Sequence, residues 1–499
     1  MDIGVDVGTS LTKAVAFDSL GREVDTASVP TELDHPAPGH VEQDAEAVAA
    51  SVGTVVRALV ERSGEPVRLL ALTGQGDGLW LLDDSGRPVR RAMSWMDGRA
   101  AGIITEWERS GAAADVFAAT GGALFPGAQA ALLAWADRHE PDTLDRAATA
   151  AYCKDMVFQR LTGVRATDPS EASMPFGGTP SGYTPAALRA TGLEHRAALL
   201  PPVHGGPPLA PLDAEGAALT GLPEGTPVSS GPYDLPACAR GAGVVRPGDG
   251  LLIVGTTLAC QVARTEVDTT GTRAGMSLAT GEGSYLRAMP AMVGTASLDW
   301  ALRLTGRPVA DLESLLEGSP PGARGLRVLP YLAPSGERAP FVSPYARGEL
   351  DGLSLHHGPA DVVRAVCEGI AFAARHCLEA AGLEGRLTLC GGGARSRAWV
   401  EVFSAVLGRP VALAPGAQAG ARGAVLAGLR TLGADADEAA WTDAPVSADP
   451  PAGLVAHYDA GYRRYLARLA ASRPLWEEDA QGGAEGVADG AAQGAAAAG

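Results

Sequence analysis

The sequence predicts an α/β protein built from two lobes of similar topology, on three observations. Short apolar strands alternate with helical patterns along much of the chain, as they do where helices cover a sheet. A strand, a Gly-Thr turn and a second strand occupy residues 3–17, and the same design returns from Gly250, about 245 positions later. The length of 499 residues allows two or three domains, or two large ones, at roughly 100–200 residues per domain. The lobes are expected to part at the Pro/Gly-rich stretch 223–232, giving an N-terminal lobe over 1–230 and a C-terminal lobe over 231–472. The tail, 473–499, is Gly/Ala/Glu-rich and is expected to be disordered.

Each element has its own signal. Ile3, Val5 and Val7 alternate up to Gly8-Thr9-Ser10, and Ala14, Val15, Ala16 and Phe17 form the returning strand before Ser19-Leu20-Gly21. A third strand is expected over 23–29 and a helix over 44–63. A strand over 67–73 runs into Gly74-Gln75-Gly76-Asp77-Gly78, and another follows over 79–83. In the second lobe the strand from Gly250 meets Gly255-Thr256-Thr257 and resumes at Leu258. Val362, Val363, Val366, Ile370, Phe372 and Ala373 mark the apolar face of a helix over 361–382, closed by Gly382. A strand over 387–390, the turn Gly391-Gly392-Gly393 and a helix over 396–407 come next. Val455, Tyr458, Tyr462, Tyr465 and Leu469 are spaced for a last helix.

Composition excludes several functions. Hydrophobic residues are 46% and charged residues 20%, the values of a packed globular chain. No apolar run approaches the roughly 20 residues that span a bilayer, and the N-terminus lacks the basic start and apolar core of a signal peptide. A cytoplasmic protein with no membrane partner is expected. The formal net charge is -18, and only Lys13 and Lys154 of the 40 basic residues are Lys. No dense basic patch exists, so nucleic acid is not an expected partner. Six cysteines at 153, 238, 260, 367, 377 and 390 show no CxxC spacing and read as buried thiols. No HExxH or Cys/His cluster suggests zinc.

The chemistry lies in turns and in carboxylates at strand ends. A Gly-Thr turn between strands can aim N–H groups and hydroxyls at a phosphate oxygen. A Gly-rich turn opening a helix adds free N–H groups and a partial positive charge. Most Gly turns are only turns, and no Walker-type GxxxxGK[ST] occurs. Asp6 precedes the first turn by two residues; it reads as a Mg²⁺ ligand, direct or through water, or as a turn cap. Asp234 stands between an apolar strand and a helical pattern; it reads as a general base or as a helix N-cap. Asp77, in the glycine-rich turn after an apolar strand, can face a cleft or close an Asx-turn. Lys154-Asp155 reads as a surface ion pair, with Tyr152 and Met156 as packing.

Taken together these blocks resemble the FGGY family of carbohydrate kinases, within the actin/hexokinase/heat-shock ATPase superfamily. Asp6-Val7-Gly8-Thr9-Ser10 resembles the first phosphate motif, Gly39-His40-Val41-Glu42-Gln43-Asp44 an early "GxxEQD" segment, and Trp95-Met96-Asp97-Gly98-Arg99 the "WxDxR" motif. Asp234 matches the family's catalytic aspartate, and Gly255-Thr256-Thr257 the second phosphate motif. The block from Gly336 to Gly369 resembles the C-terminal signature, and Gly391-Gly392-Gly393 with Ser396 the adenosine motif. The match runs in order over about residues 1–470. Residues 153–155 and 161–171, with 73–78, resemble the erythritol kinase branch, beside xylulose kinases.

The resemblance implies two ribonuclease-H-like lobes with a central cleft for ATP, Mg²⁺ and a small sugar or polyol. It implies phosphate and nucleotide contacts from Gly8, Thr9, Ser10, Lys13, Gly255, Thr256, Thr257, Gly392, Gly393, Ala394 and Ser396. Substrate contacts are implied for Gln75, Gly76, Asp77, Asp97, Arg99 and Asp234, with Asp234 catalytic and Asp6 at the metal. A four- or five-carbon polyol or ketose is the expected substrate, erythritol first. A sugar-binding sensor without catalysis is the alternative of another class, and a homodimer is left open. The chain departs from the family pattern at the adenosine helix, where Val400-Glu401 follow Trp399 in place of an Asn/Gln pair. It departs again at 416–423, which lacks the usual Glu.

Overall fold

The computed structural model describes residues 1–281, 283–443 and 446–496, with side chains as far as Glu478. The chain forms two compact units. The first holds Met1–Leu251, Gln261–Ala288 and Ala414–Pro445; the second holds Leu252–Cys260, Met289–Leu413 and Val446–Gly499.

Six strands make the first sheet: β1 (Asp2–Val7), β2 (Leu11–Phe17), β3 (Glu23–Pro30), β4 (Leu69–Gly74), β5 (Leu209–Pro211) and β6 (Pro227–Ser230). Their order is β3-β2-β1-β4-β6-β5. β1 and β2 are an antiparallel hairpin with Asp6 opposite Lys13. β1, β4 and β6 run parallel, with Val7 opposite Gly74 and Leu72 opposite Ser230. The chain therefore leaves β1, β4 and β6 at one edge of the sheet, the edge where α/β proteins gather ligand-binding loops.

A second sheet contains β7 (Gly250–Val254), β8 (Leu258–Arg264), β9 (Met276–Gly281), β10 (Ser284–Ala291), β11 (Leu387–Cys390), β12 (Val411–Leu413) and β13 (Ser447–Ala448). Its order is β9-β10-β8-β7-β11-β12-β13. Each sheet sets the first strand of a Gly-Thr hairpin between its own partner and a strand from far along the chain. The sequence echo is thus an echo of topology, and the fold is the two-lobed α/β architecture of actin/hexokinase-type ATPases.

Helix α1 (Ala45–Ser63) starts at Asp44, whose carboxylate accepts from the Ala47 N–H at 3.1 Å, satisfying an otherwise orphaned donor. Its Val48, Val52, Val55, Val56 and Leu59 share one core with Ile3, Val5, Val7, Leu70 and Leu72. Burial of each such side chain contributes about 1.5–3 kcal/mol. Further helices that matter here are α2 (Cys153–Thr162), α3 (Asp234–Gly241), α4 (Pro359–Ala381), α5 (Arg397–Leu407), α6 (Ala419–Leu432) and α7 (Leu454–Ala496).

Helices α3 and α6 touch backbone to backbone. A Cβ on Gly241 would lie 1.9 Å from the Ala419 carbonyl oxygen, and one on Gly423 would lie 1.8 Å from that of Ala237. No other residue type fits either position without moving a helix. Because of this contact α3, with Asp234, stays in the first unit, although the boundary expected at 230/231 gives it to the second lobe.

The tail also differs from expectation. Helix α7 runs on past the periodic stretch, Trp476 is 5% exposed, and its ring meets Tyr331 edge-on at 5.8 Å. Arg473 lies 4.9 Å from the Phe341 ring. The first residues of the expected disordered segment therefore belong to the packing of the second unit, because an apolar ring pair offsets their ordering. The rest of that expectation, from 479 on, falls on side chains outside the described residues.

Candidate active site

Three strand ends build the site in the first unit. After β1 comes Gly8-Thr9-Ser10, where the Gly8 N–H donates to Leu11 O at 3.1 Å and shapes the turn. Thr9 is not a loose hydroxyl. Its Oγ1 donates to Gln75 Oε1 at 3.0 Å and accepts from Trp95 Nε1 at 2.8 Å. Gln75 Nε2 in turn donates to Gln43 Oε1 at 2.8 Å, and Gln43 Nε2 to Thr9 O at 3.1 Å. A closed ring of hydrogen bonds thus ties the turn after β1 to the turn after β4. Thr9 engages its hydroxyl within the protein, and Gln75 joins the two turns.

After β4, Gly76 lies so near Tyr233 that a Cβ there would fall 2.2 Å from the ring. Asp77 is 5% exposed and has φ 56°, in the left-handed region, which Asp and Asn tolerate better than other side chains. The N–H of Gly78 donates to Gly127 O at 3.0 Å and that of Leu79 to Met93 O at 2.8 Å. Both N–H groups that an Asx-turn would draw on thus serve backbone carbonyls.

After β6, Asp234 begins α3. The cap position is Tyr233, with no side-chain cap bond, so Asp234 is not the N-cap that local sequence allows. Its carboxylate accepts the Leu235 backbone N–H, while Oδ1 is buried without a partner among the described residues. Desolvation holds this carboxyl well above the usual range, and the charges of Asp6 and Asp77 push it the same way. Three carboxylates from three strand ends therefore share one electrostatic neighbourhood. Asp6 is itself raised by burial and lowered in part by the Lys13 charge. Lys13 Nζ donates to Gln418 Oε1 at 3.0 Å, a partner from α6's start that no local pattern announces.

Asp97 and Arg99 are closed off. Asp97 Oδ2 accepts from the Val41 N–H at 2.6 Å and from Arg99 at 2.8 Å; Oδ1 accepts from the Arg99 backbone and Nε, both at 2.9 Å. Arg99 also donates to Glu42 at 2.7 Å and lies 5.0 Å from the Trp135 ring. These side chains are 0% and 3% exposed. Both expected substrate contacts instead brace residues 39–44, which deliver Gln43 to the Thr9 turn.

Lys154 corrects another expectation. It is no surface residue: fully buried, it pairs with Asp155 at 2.7 Å and Asp168 at 2.8 Å. Asp155 also accepts from Ser230 Oγ at 2.8 Å and Thr167 Oγ1 at 2.6 Å. The Asp168–Ser173 turn then meets the segment bearing Asp234, since the Tyr233 N–H donates to Ser170 Oγ at 2.8 Å.

The second unit carries the other implied nucleotide groups. At Gly255-Thr256-Thr257 the Gly255 N–H donates to Thr257 O at 3.2 Å, and Gly255 O accepts from the Thr295 N–H at 2.8 Å. Thr256 is exposed. Gly391, just after β11, has φ 94°, and a Cβ there would stand 2.6 Å from Val254 O, so the close approach of this turn to β7 requires glycine. Gly392 has open space around it and Ala394 is half-buried. Ser396 caps α5 by accepting the Trp399 N–H at 3.1 Å. Trp399 itself is fully buried beside Phe403, so it is core rather than a stacking surface.

Comparison with known proteins decides the family. The model of the FGGY family of carbohydrate kinases, N-terminal domain, matches residues 1–241, and that of the C-terminal domain matches 252–432. The chain belongs to the FGGY family of carbohydrate kinases. As a member it is a carbohydrate kinase, and ATP is the phosphate donor of such kinases. It is 35% identical to the erythritol kinase of Brucella abortus (strain 2308), over 96% of this chain and 98% of that one. It is 31% identical to the xylulose kinase of Escherichia coli (strain K12), over 84% and 87%. The crystal structure of xylulose kinase from Rhodospirillum rubrum superposes with a TM-score of 0.86 at 30% identity, covering 95% of this chain and 99% of that one.

Proposed function

We propose that this FGGY kinase transfers the γ-phosphoryl group of ATP to a hydroxyl of a four- or five-carbon polyol or ketose, erythritol first and a pentulose second. The observation that carries the chemistry is Asp234: a partly unpartnered carboxylate, made more basic by burial and by Asp6 and Asp77. Erythritol is supported by the 35% identity to an erythritol kinase across nearly the whole of both chains.

Asp234 accepts the proton of the acceptor hydroxyl as that oxygen bonds to the γ-phosphorus. The bond from the γ-phosphorus to its bridging oxygen breaks, and the electron pair leaves with ADP. Such transfers depend on positioning and charge neutralisation more than on covalent help. Asp6 supplies a hard oxygen donor that suits Mg²⁺, directly or through water, a cation usually held by one or two carboxylates, water and phosphate rather than by a protein cage. No larger ligand cluster occurs among the described residues. When bound, the metal would neutralise charge on the phosphates. Gly8 and Ser10 in the first unit, and Gly255, Thr256, Thr257, Gly392 and Gly393 in the second, are assigned to the nucleotide. A cytoplasmic setting goes with ATP as donor, and no described helix is long and apolar enough to cross a membrane.

A coupled ADP-release assay over a panel of C3–C5 polyols and ketoses tests this reading. Asp234→Asn should keep polyol binding and cut kcat by at least about 10²-fold. Near wild-type turnover by that variant, or no turnover of any panel member by the native enzyme, defeats it.

A further inference from the structure

Glu171 lies one turn beyond Asp168, in the short helix Pro169–Ala172. It is 2% exposed, and among the described residues no donor reaches its Oε1. Its neighbours behave otherwise. Lys154 is committed to Asp155 and Asp168, and Ser170 to Asp168 and to the Tyr233 N–H. A buried carboxylate left without a partner is costly, and such groups persist where a ligand completes them.

Its surroundings say what kind of ligand. The Asp77 charge acts on Asp234 and also on Glu171, and Lys154, Asp155 and Asp168 act on Glu171 as well. Asp77 thus lies in both neighbourhoods. Ser170 and Gly231 lock the Glu171 turn against the segment bearing Asp234: a Cβ on Gly231 would fall 2.8 Å from Asp168 Cγ. A polyol with its reacting hydroxyl at Asp234 and a middle hydroxyl at Asp77 would extend its far end toward Glu171.

We propose that Glu171 is a substrate-binding residue that hydrogen-bonds the hydroxyls of the polyol remote from the one phosphorylated, and so sets the chain length the enzyme prefers. This rests on the polyol kinase reading above. Burial also holds the Glu171 carboxyl well above the usual range. A carboxyl oxygen accepts a hydrogen bond from a hydroxyl, and Gln keeps an acceptor oxygen in the same place.

The test compares Glu171→Ala and Glu171→Gln with the native enzyme on glycerol, erythritol and xylitol, reading KM, kcat, the ATP KM and Tm. For Glu171→Ala the KM for erythritol should rise roughly 5- to 150-fold, the scale of one lost buried hydrogen bond. Glycerol, too short to reach it, should be handled nearly as by the native enzyme. The ATP KM should hold within about twofold, and Tm without substrate should stay or rise, because an uncompensated buried acid has gone. Glu171→Gln should recover most of the loss. An unchanged erythritol KM in Glu171→Ala, an equal loss on all three polyols, or a fall in Tm with both KM values disturbed overturns the assignment. If the native enzyme turns over none of the panel, the polyol reading itself fails; if it does turn over and only these variants behave as wild type, Glu171 alone is refuted.

Discussion

Replacing Gly76 by Ala should disable the enzyme without touching a catalytic group. The added Cβ would stand 2.2 Å, 2.6 Å and 2.7 Å from Cε2, Cδ2 and Cζ of Tyr233. Carbon atoms rest at about 3.5–4.0 Å, so the ring must retreat by about 1.3 Å or more. Gly76 does not have a positive φ, so Ala is allowed by the backbone and the effect is steric. The Tyr233 ring is buried and has little open space to swing into, and its backbone is tied to Ser170 Oγ and to the Ala237 N–H at 2.9 Å as α3 begins. The shift passes to the next residue, Asp234. A misplacement near 1 Å costs about 10²-fold in rate, and overpacking costs about 1–3 kcal/mol in stability. Steady-state kinetics should show kcat falling about 100-fold, with the ATP KM little changed and a Tm lower by a few degrees. Adding Tyr233→Ala removes the clash but opens a cavity at a buried ring, so the double variant should lose less stability than the sum of the two single changes. Native kcat in Gly76→Ala would refute the idea that this packing places Asp234.

Other perturbations probe the same structure. Asp77→Asn keeps a side chain that tolerates φ 56° and removes one charge that raises Asp234. The acid limb of kcat/KM, where protonation of Asp234 stops base catalysis, should move to lower pH; an unmoved limb would separate the two carboxylates. Lys154→Met should destabilise by about 3–5 kcal/mol in urea melts, because Asp155 and Asp168 are left buried without their cation. Truncation after Ala471 should likewise lower stability, by about 3–5 kcal/mol for loss of the buried Trp476, seen as an earlier thermal transition.

Much of the site could be read from the residues in order. Gly8-Thr9-Ser10 and Gly255-Thr256-Thr257 stand between alternating strands, and Asp44 precedes α1, because each signal involves neighbours a few positions apart. Asp6, Asp77 and Asp234 were legible as candidates because each follows or ends an apolar strand. Their convergence was not: it comes from the parallel register of β1, β4 and β6. The "WxDxR" block marked Asp97 and Arg99, but a motif does not say whether its charges face a ligand or Glu42.

By itself the sequence determined the α/β class, the duplicated hairpin and the kinase family, since periodicity, turn chemistry and motif order are local properties of the chain. Only the tertiary structure decided that Lys154 is buried, that Thr9 and Gln75 join in one network with Gln43 and Trp95, and that no donor among the described residues reaches Glu171 Oε1. It alone set α3 against α6 through Gly241 and Gly423, some 180 positions apart. The physical reason is common to all of these. A charge or hydroxyl takes its energy from whatever lies within a few ångströms, and those neighbours come from segments remote in sequence.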